Sequence, residues 1–384
     1  MNVRNSSRVS IEDKQYSRED KMKTILALVL IFVCSLSVET ANADFTIGTP
    51  TNLGPMINSR YVESAPFISP DGLSLLFASD FPDGMLDYDL WVTTRASKEE
   101  PWGEPVKIGQ TINTTDTEWH PSITADGLEL YFDSDRPGGE GSEDLWVSKR
   151  ESTADEWGVP VNLGPAINTS EFEEAASISP DGLVLVWDSD RPGGSGESDI
   201  WTSTRSTRDD PWGPPVNLGP IINTQDLEAT AVLSADGRAL FFTAWPRAQG
   251  YGDFDIWMAR KSNDANVWDA PVNVGPIINT EYSEYCPSIS SDGTTLYFSD
   301  LPLPRPDGYG SEDLWQAQII PVVDLNADGF VDAADMCIIV DNWGTDNSLC
   351  DVGPMPWGDG VVDVEDLIVV AEHLFEEFPP VGEN

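Results

Sequence analysis

Positive charge is scarce in this chain: 21 Lys and Arg stand against 66 Asp and Glu, for a formal charge of −45 at pH 7. A nucleic-acid binder needs cations to meet phosphates, so that class is excluded. Attachment to an anionic membrane surface is excluded on the same ground. The excess of acid favours solubility and a role for cations. Histidine is rarer still, two residues in 384, which leaves His-based catalysis little to work with. The G-x-S-x-G elbow of serine hydrolases is missing, so a serine peptidase of that type has no site here. Cysteine is limited to four residues. In an oxidising compartment Cys337 and Cys350 could bridge and leave Cys286 free, a pairing that sequence leaves open.

Long apolar runs are also lacking, with one short exception near the N-terminus. From Met22 the chain reads MKTILALVLIFVCSLSVETANA, with an apolar run from Ile25 to Val33 and the small residues Ala41 and Ala43 before Asp44. That pattern is a secretory signal and is too short and wrongly flanked for a membrane span. Residues 1–43 are therefore expected to be a signal segment, with Met22 a candidate start. The protein is expected to be secreted, extracellular or at the cell surface.

What the chain has in abundance is repetition. The stretch Asp126–Trp146, DGLELYFDSDRPGGEGSEDLW, occurs in five near-copies, marked by Asp-Gly at Asp71, Asp126, Asp181, Asp236 and Asp292. A fixed period of about 55 residues signals a repeat architecture. Within a unit, large residues alternate, as at Leu130 and Phe132 or Leu185 and Trp187, which is a strand period. SDRPGG is turn chemistry, because Pro fixes φ and Gly supplies positive φ. Four short strands per unit make a propeller blade. The fifth unit lacks the WG-x-P-VNLG strand, and its counterpart stands at the other end of the chain, from Ile47 to Gly54. The expectation is an all-β five-bladed β-propeller over residues 44–319, closed by an N-terminal strand that hides the sheet edge.

The motifs SPDG, LYFDSDRPGG and DLW resemble the WD40-like (PD40) β-propeller repeat family, seen in TolB-type periplasmic proteins. The resemblance covers the whole ring. It implies the fold and says little about activity, since most members are interaction modules.

Eight positions before each Asp-Gly stands a glutamate: Glu63, Glu118, Glu173, Glu228 and Glu284. On an innermost strand these five would form a carboxylate ring around the channel, a cation site or a set of acids. The alternative is that each bonds backbone in the neighbouring blade, which would explain its presence in every copy. Most tryptophans likewise sit at repeat positions and read as core. Positions that differ between copies are more informative, because one ligand in a fivefold ring meets each blade differently. Immediately after the glutamates come Ser64-Ala65, Trp119-His120, Glu174-Ala175, Ala229-Thr230 and Tyr285-Cys286. Trp119, His120, Glu174 and Tyr285 are the candidate ligand residues, suited to a glycan or a peptide.

Beyond Asp324 the composition changes. DLNADGFVDAAD places oxygens at loop positions 1, 3, 5, 9 and 12 through Asp324, Asn326, Asp328, Asp332 and Asp335, with Gly329 at the sharp turn and the Phe330 carbonyl at position 7. That alternation is what Ca²⁺ coordination requires. A second loop keeps Asp359, Asp363 and Asp366 but puts Met355 and Trp357 at the first two ligand positions, and Asp351 substitutes only if the loop is expanded. Each loop leads into an apolar helix. Paired loops of this kind resemble a type I dockerin, an EF-hand-like module. The resemblance implies Ca²⁺ as cofactor and a cohesin-like protein or cell-surface component as partner for residues 320–384. Ala333-Ala334 and Val364-Glu365 depart from the Ser/Thr pair such modules often carry.

Two functions follow as expectations. The first is a secreted, non-catalytic binding or scaffold protein, its propeller a recognition face and its Ca²⁺-loop module an attachment. The second is a carbohydrate-active enzyme of polysaccharide degradation, with two or three carboxylates from different blades around one pocket.

Overall fold

The computed structural model describes residues 45–82, 88–261, 267–301, 305–326, 330–345, 347, 350–353 and 361–375. Five antiparallel sheets succeed one another along the chain. The first runs outward through Glu63–Ile68, Ser74–Ser79 and Asp89–Thr94 to the two-residue strand Val106–Lys107. The next three repeat this order, beginning at the inner strands Glu118–Ile123, Glu173–Ile178 and Leu227–Leu233. The fifth contains Ser283–Ile289, Thr295–Leu301 and Leu314–Pro321 and no later outer strand of its own. Thr51–Asn52 supplies that strand, and Phe45–Ile47 pairs with the far end of Leu314–Pro321. Asn52 sits opposite Trp315 as Asn162 sits opposite Trp146, so the closing strand enters in the register of an internal one. The inner strands contact each other in a closed cycle. The molecule is thus mainly β, a five-bladed propeller whose last blade is completed by the N-terminal strand.

The alternating pattern understates burial in the second strand of each blade. Leu130, Tyr131 and Phe132 are all 0% exposed, because a blade is covered on both faces by its neighbours. Leu130 and Phe132 pack with the first blade, whereas Tyr131 joins Leu185 and Trp187 of the third. The repeated Asn of the I-N motif replaces part of a strand pairing. Asn113 accepts from Leu90 N and donates to Leu90 O, both at 2.9 Å. Asn58 makes the same pair of bonds to Leu314 across the closure.

The acids of the repeat are similarly consumed. Asp144 accepts from Glu140 N at 2.8 Å and closes the Gly-rich loop; Asp199 does so from Ser195 N at 2.5 Å. Asp126 accepts from Thr124 Oγ1 and Leu128 N, and Gly127 turns the chain at φ 69°. The repeated WG tryptophans lie under cations, Arg150 at 4.1 Å from the Trp157 ring and Arg205 at 4.4 Å from that of Trp212, a contact of about 0.5–1 kcal/mol at partly exposed sites.

After the propeller come two short helices, Ala333–Asp341 and Val364–Glu372. Each starts with an Asp N-cap and an Asp at the third helical position, together a capping box that satisfies otherwise unpaired amides. Their apolar sides meet in a small core of Val323, Leu325, Val331, Ile339, Cys350, Val352, Val362, Val369 and Val370. Cys286 and Cys350 are buried free thiols, so the Cys337–Cys350 bridge is not formed. Among the described residues no helix is long and apolar enough to cross a membrane.

Candidate ligand site

The five repeated glutamates do not form a ring of carboxylates in the channel. Glu118 is 0% exposed; its carboxylate accepts from Thr114 N at 2.9 Å and from Thr114 Oγ1 at 2.7 Å. Glu173, Glu228 and Glu284 bind Thr169, Thr224 and Thr280 in the same way, and Glu63 binds Ser59. The contact holds the segment leading into the glutamate's own inner strand rather than the neighbouring blade. In four blades an arginine completes the clamp: Arg136, Arg191, Arg247 and Arg305 reach Glu118, Glu173, Glu228 and Glu284 at 2.8–3.2 Å. The first blade has Phe81 at the place of Arg136, and Glu63 has Ser79 as a further donor. Burial pushes the Glu63 carboxyl up to about 7. Burial has the same effect on Glu118, also to about 7, against the pull of Thr114 and Arg136.

The positions that follow the glutamates do face the axis. Every inner strand carries one extra residue against its partner, a β-bulge, seen as a register shift in all five blades. The residue at the bulge has positive φ each time: Ala65 50°, His120 41°, Ala175 51°, Thr230 48° and Cys286 49°. Such backbone is uncommon outside glycine and rarer for a β-branched residue such as Thr230, and bulges of this kind re-aim side chains. Two of the freed amides are held by acids of the preceding blade, Ala175 N by Asp133 at 3.0 Å and Thr230 N by Asp188 at 2.8 Å. These bulge residues and the prolines after three of them narrow the channel to about 40 Å³.

Above that neck opens a cavity of about 540 Å³, within the size range of small-molecule sites. All four candidate residues, Trp119, His120, Glu174 and Tyr285, line it. His120 Nδ1 lies 2.9 Å from Asp133 Oδ1, and the ring stacks on Trp119 at 5.4 Å between centroids. Burial works against charge on His120, but Asp133 and the neighbouring Cys286 thiol raise its pKa well above the ordinary value. Trp119 also packs on Tyr88. Tyr285 receives a bond from Ser64 Oγ at 3.3 Å and donates a short one to Glu312. Burial raises Glu312 to about 7.

Glu174 is the most perturbed acid of the wall. Burial raises it first, then a shared hydrogen bond with Glu143 and the charges of Asp188 and Asp133. Burial likewise raises Asp188. Glu174 therefore favours its protonated form at neutral pH, as a buried carboxyl in the company of others does.

Two further sets of lining residues escaped the sequence reading. One is the residue before the DLW aspartate: Glu143, Ser198, Phe254 and Glu312 all line the cavity. The other is the second-strand position occupied by Asp133, Asp188 and Thr243. Both vary from blade to blade at a fixed place, the same signal that marked Glu174. The recurring neighbours in DLW and SDRPGG dominate those stretches and mask the variation.

In the C-terminal module, Asp335 is fully buried and accepts from Leu325 N at 2.7 Å and Asn326 N at 3.2 Å, drawing the loop onto the helix. Asp366 accepts from Val352 N at 2.6 Å and Gly353 N at 2.8 Å in the same pattern. Leu325 precedes Asp335 by ten residues and Val352 precedes Asp366 by fourteen, so the second loop is four residues longer. Asp351, not Met355, stands where Asp324 stands in the first. Asp328 and Asp359 lie outside the described residues, as does the signal segment 1–43. Burial and then the Asp324 charge raise Asp335, and no Lys or Arg follows Arg305 in the sequence, so the module sets neither Lys nor Arg against its acids. That donor chemistry fits a hard divalent cation. Among the described residues alone, no group of three or more His, Cys, Asp or Glu side chains is arranged to hold a metal ion.

No protein-family model and no curated protein matches the chain. Solved structures share the propeller distantly. A putative TolB from Agrobacterium tumefaciens is 18% identical over 67% of this chain and 79% of its own, with a TM-score of 0.41. The catalytic domain of the Coprinopsis cinerea GH62 α-L-arabinofuranosidase is 12% identical over 71% and 97%, with a TM-score of 0.48. An α-L-arabinofuranosidase from Lactobacillus brevis is 15% identical over 70% and 92%, with a TM-score of 0.44.

Proposed function

We propose that this is a binding protein of an extracellular or cell-surface assembly, with the propeller cavity as its recognition site and the C-terminal module as its attachment. One observation carries the reading: the cavity is lined from the positions at which the five repeats disagree, while the repeated acids are spent on turns and clamps. Aromatic walls at Trp119 and Tyr285 with polar neighbours suit a glycan or a peptide. A glycan array on the full-length protein tests it; binding that Trp119→Ala abolishes supports the reading, and no binding on glycan or peptide arrays refutes it.

A second reading, glycoside hydrolysis, is favoured by Glu174, because burial and neighbouring carboxyls raise its pKa and an acid that holds its proton is what protonation of a leaving group needs. Array hits would be incubated with enzyme and assayed for released sugar. Turnover lost by at least a hundredfold in Glu174→Gln would make this an enzyme; intact ligands after prolonged incubation would leave the binding role.

For the tail we propose a dockerin-like module that folds around Ca²⁺. Asp324, Asn326, Asp328, Asp332, Asp335 and the Phe330 carbonyl would hold one ion, and Asp351, Asp359, Asp363 and Asp366 a second. The ion would neutralise the facing carboxylates and tie each loop to the helix it precedes. The apolar helices then present a surface for a cohesin-like or cell-surface partner. Calorimetry on the full chain should register Ca²⁺ binding that Asp328→Ala removes from the first loop, with an unchanged isotherm counting against it.

A further inference from the structure

Acidic side chains dominate the wall of the cavity. Its wall carries Glu143, Glu174, Asp188 and Glu312, with Asp190 and Glu197 at the rim, and among the described lining residues no Lys or Arg. His120 is the one basic group of the lining, and it is already paired with Asp133 at 2.9 Å. The nearby arginines are committed elsewhere: Arg136 and Arg191 lie buried on Glu118 and Glu173. Asp188 sharpens the point. It is 6% exposed, and one oxygen accepts from Thr230 N at 2.8 Å on the wall of the cavity.

We propose that the ligand of this cavity bears a protonated amine, seated between the carboxylates of Glu174, Glu143 and Asp188 and the aromatic rings of Trp119 and Tyr285. The inference rests on the reading that the cavity is the recognition site, and it names what that site selects. A neutral sugar offers these acids no counter-charge, so each must keep its proton or stand as an unpaired buried charge, which is costly. An ammonium group meets them with charge-assisted hydrogen bonds and gains from a ring face within about 6 Å. Burial and the neighbouring carboxyls favour the protonated forms of Glu174 and Asp188 in the free protein. A cationic ligand takes the place of those protons, so binding releases protons and strengthens as pH rises, until the amine itself deprotonates.

Two sources present such a group, amino sugars and lysine-like side chains, and the test separates them. Full-length protein at fixed Ca²⁺ would be titrated by calorimetry with chitobiose carrying free amines, with N-acetyl-lysine amide, and with N,N′-diacetylchitobiose and cellobiose as uncharged counterparts. The proposal expects the amine form of at least one scaffold to bind ten-fold or more tightly than the uncharged disaccharides, with an enthalpy that varies with buffer because protons are released. Tighter binding of chitobiose assigns the sugar, and tighter binding of the lysine derivative assigns the peptide. Asp188→Asn should weaken the amine ligand about ten-fold; because Asp188 also holds Thr230 N, Glu174→Gln serves as the second variant, each checked for an unchanged melting temperature. Equal affinity for charged and uncharged disaccharides overturns the amine but leaves the recognition site standing. An absence of binding by every probe overturns the amine, and only silence on the arrays as well removes the site.

Discussion

Single residues in this chain divide by whether the repeat copies them. Glu63 is copied, yet it alone of its set lacks an arginine, and that exception is testable. Its carboxyl sits at about 7 in the fold against an ordinary 4.5, raised by burial. A group raised on folding favours the native state below its unfolded pKa and loses that contribution as pH climbs through the folded value. At about 1.4 kcal/mol for each pKa unit, the wild-type protein should lose on the order of 3 kcal/mol from this residue between pH 4.5 and 7.5. Glu63→Gln keeps an acceptor for Ser59 N and cannot ionise. Guanidinium unfolding at the two pH values should show a flatter dependence in the variant, and parallel curves would contradict the assignment. The same division explains what was legible. Trp119, His120, Glu174 and Tyr285 were found because they break a repeated pattern, and all four line the cavity. The geometry of Glu118 was not legible, because whether a repeated carboxylate faces a channel or a threonine depends on side-chain direction, which spacing does not encode. His120 pairing with Asp133 escaped for a similar reason, since the bulge that swings them together adds one residue to a strand whose sequence looks regular.

At the scale of the element, blade geometry rests on loops as much as on strands. Gly196 lies where a Cβ would come within 2.0 Å of the Asp226 carbonyl, and Gly141, Gly252 and Gly310 are as tightly placed in their own blades. Each of these glycines lets the Gly-rich loop of one blade lie against the segment leading into the next. Gly196→Ala should therefore destabilise the propeller by about 2–3 kcal/mol through forced displacement of backbone, read as a lowered denaturation midpoint. Gly219→Ala should also destabilise, by about 1 kcal/mol, because its φ of 82° strains a side chain although nothing stands within 4 Å. Equal effects at the two sites would show that backbone conformation, not loop packing, sets the requirement. The elements themselves were legible from turn residues and alternation. The five bulges were not, and neither was the true start of the second C-terminal loop, because Met355 and Trp357 fall at the spacing of a standard loop while the hydrogen bonds to Asp366 come from Val352 and Gly353.

The whole molecule depends on one long-range pairing. Phe45 and Ile47 are buried among Trp315, Ala317 and Ile319 in the last blade, so the N-terminal strand contributes core as well as edge cover. Ile47→Ala should cost about 3 kcal/mol, in the range of other core truncations. Removing residues 45–53 should abolish the single cooperative transition and leave a sheet edge open to association, visible by light scattering. A truncated protein that still unfolds in one sharp step as a monomer would show that the ring does not need its clasp. This closure was the most legible feature of all, because a strand missing at one end of a repeat and present at the other has few interpretations.

That clasp also sets an order in time. Thr51 waits for a partner 265 residues further along, so the first strand of the propeller to leave the ribosome is among the last to be used. Until Leu314–Pro321 exists, the earlier blades stand as an open arc, with an unpaired strand at one end and a bare face at the other. Contacts so distant in sequence are slow to find. The nascent chain must therefore be kept from premature pairing over nearly the whole length of its synthesis, and the ring becomes a ring only as its final blade is delivered.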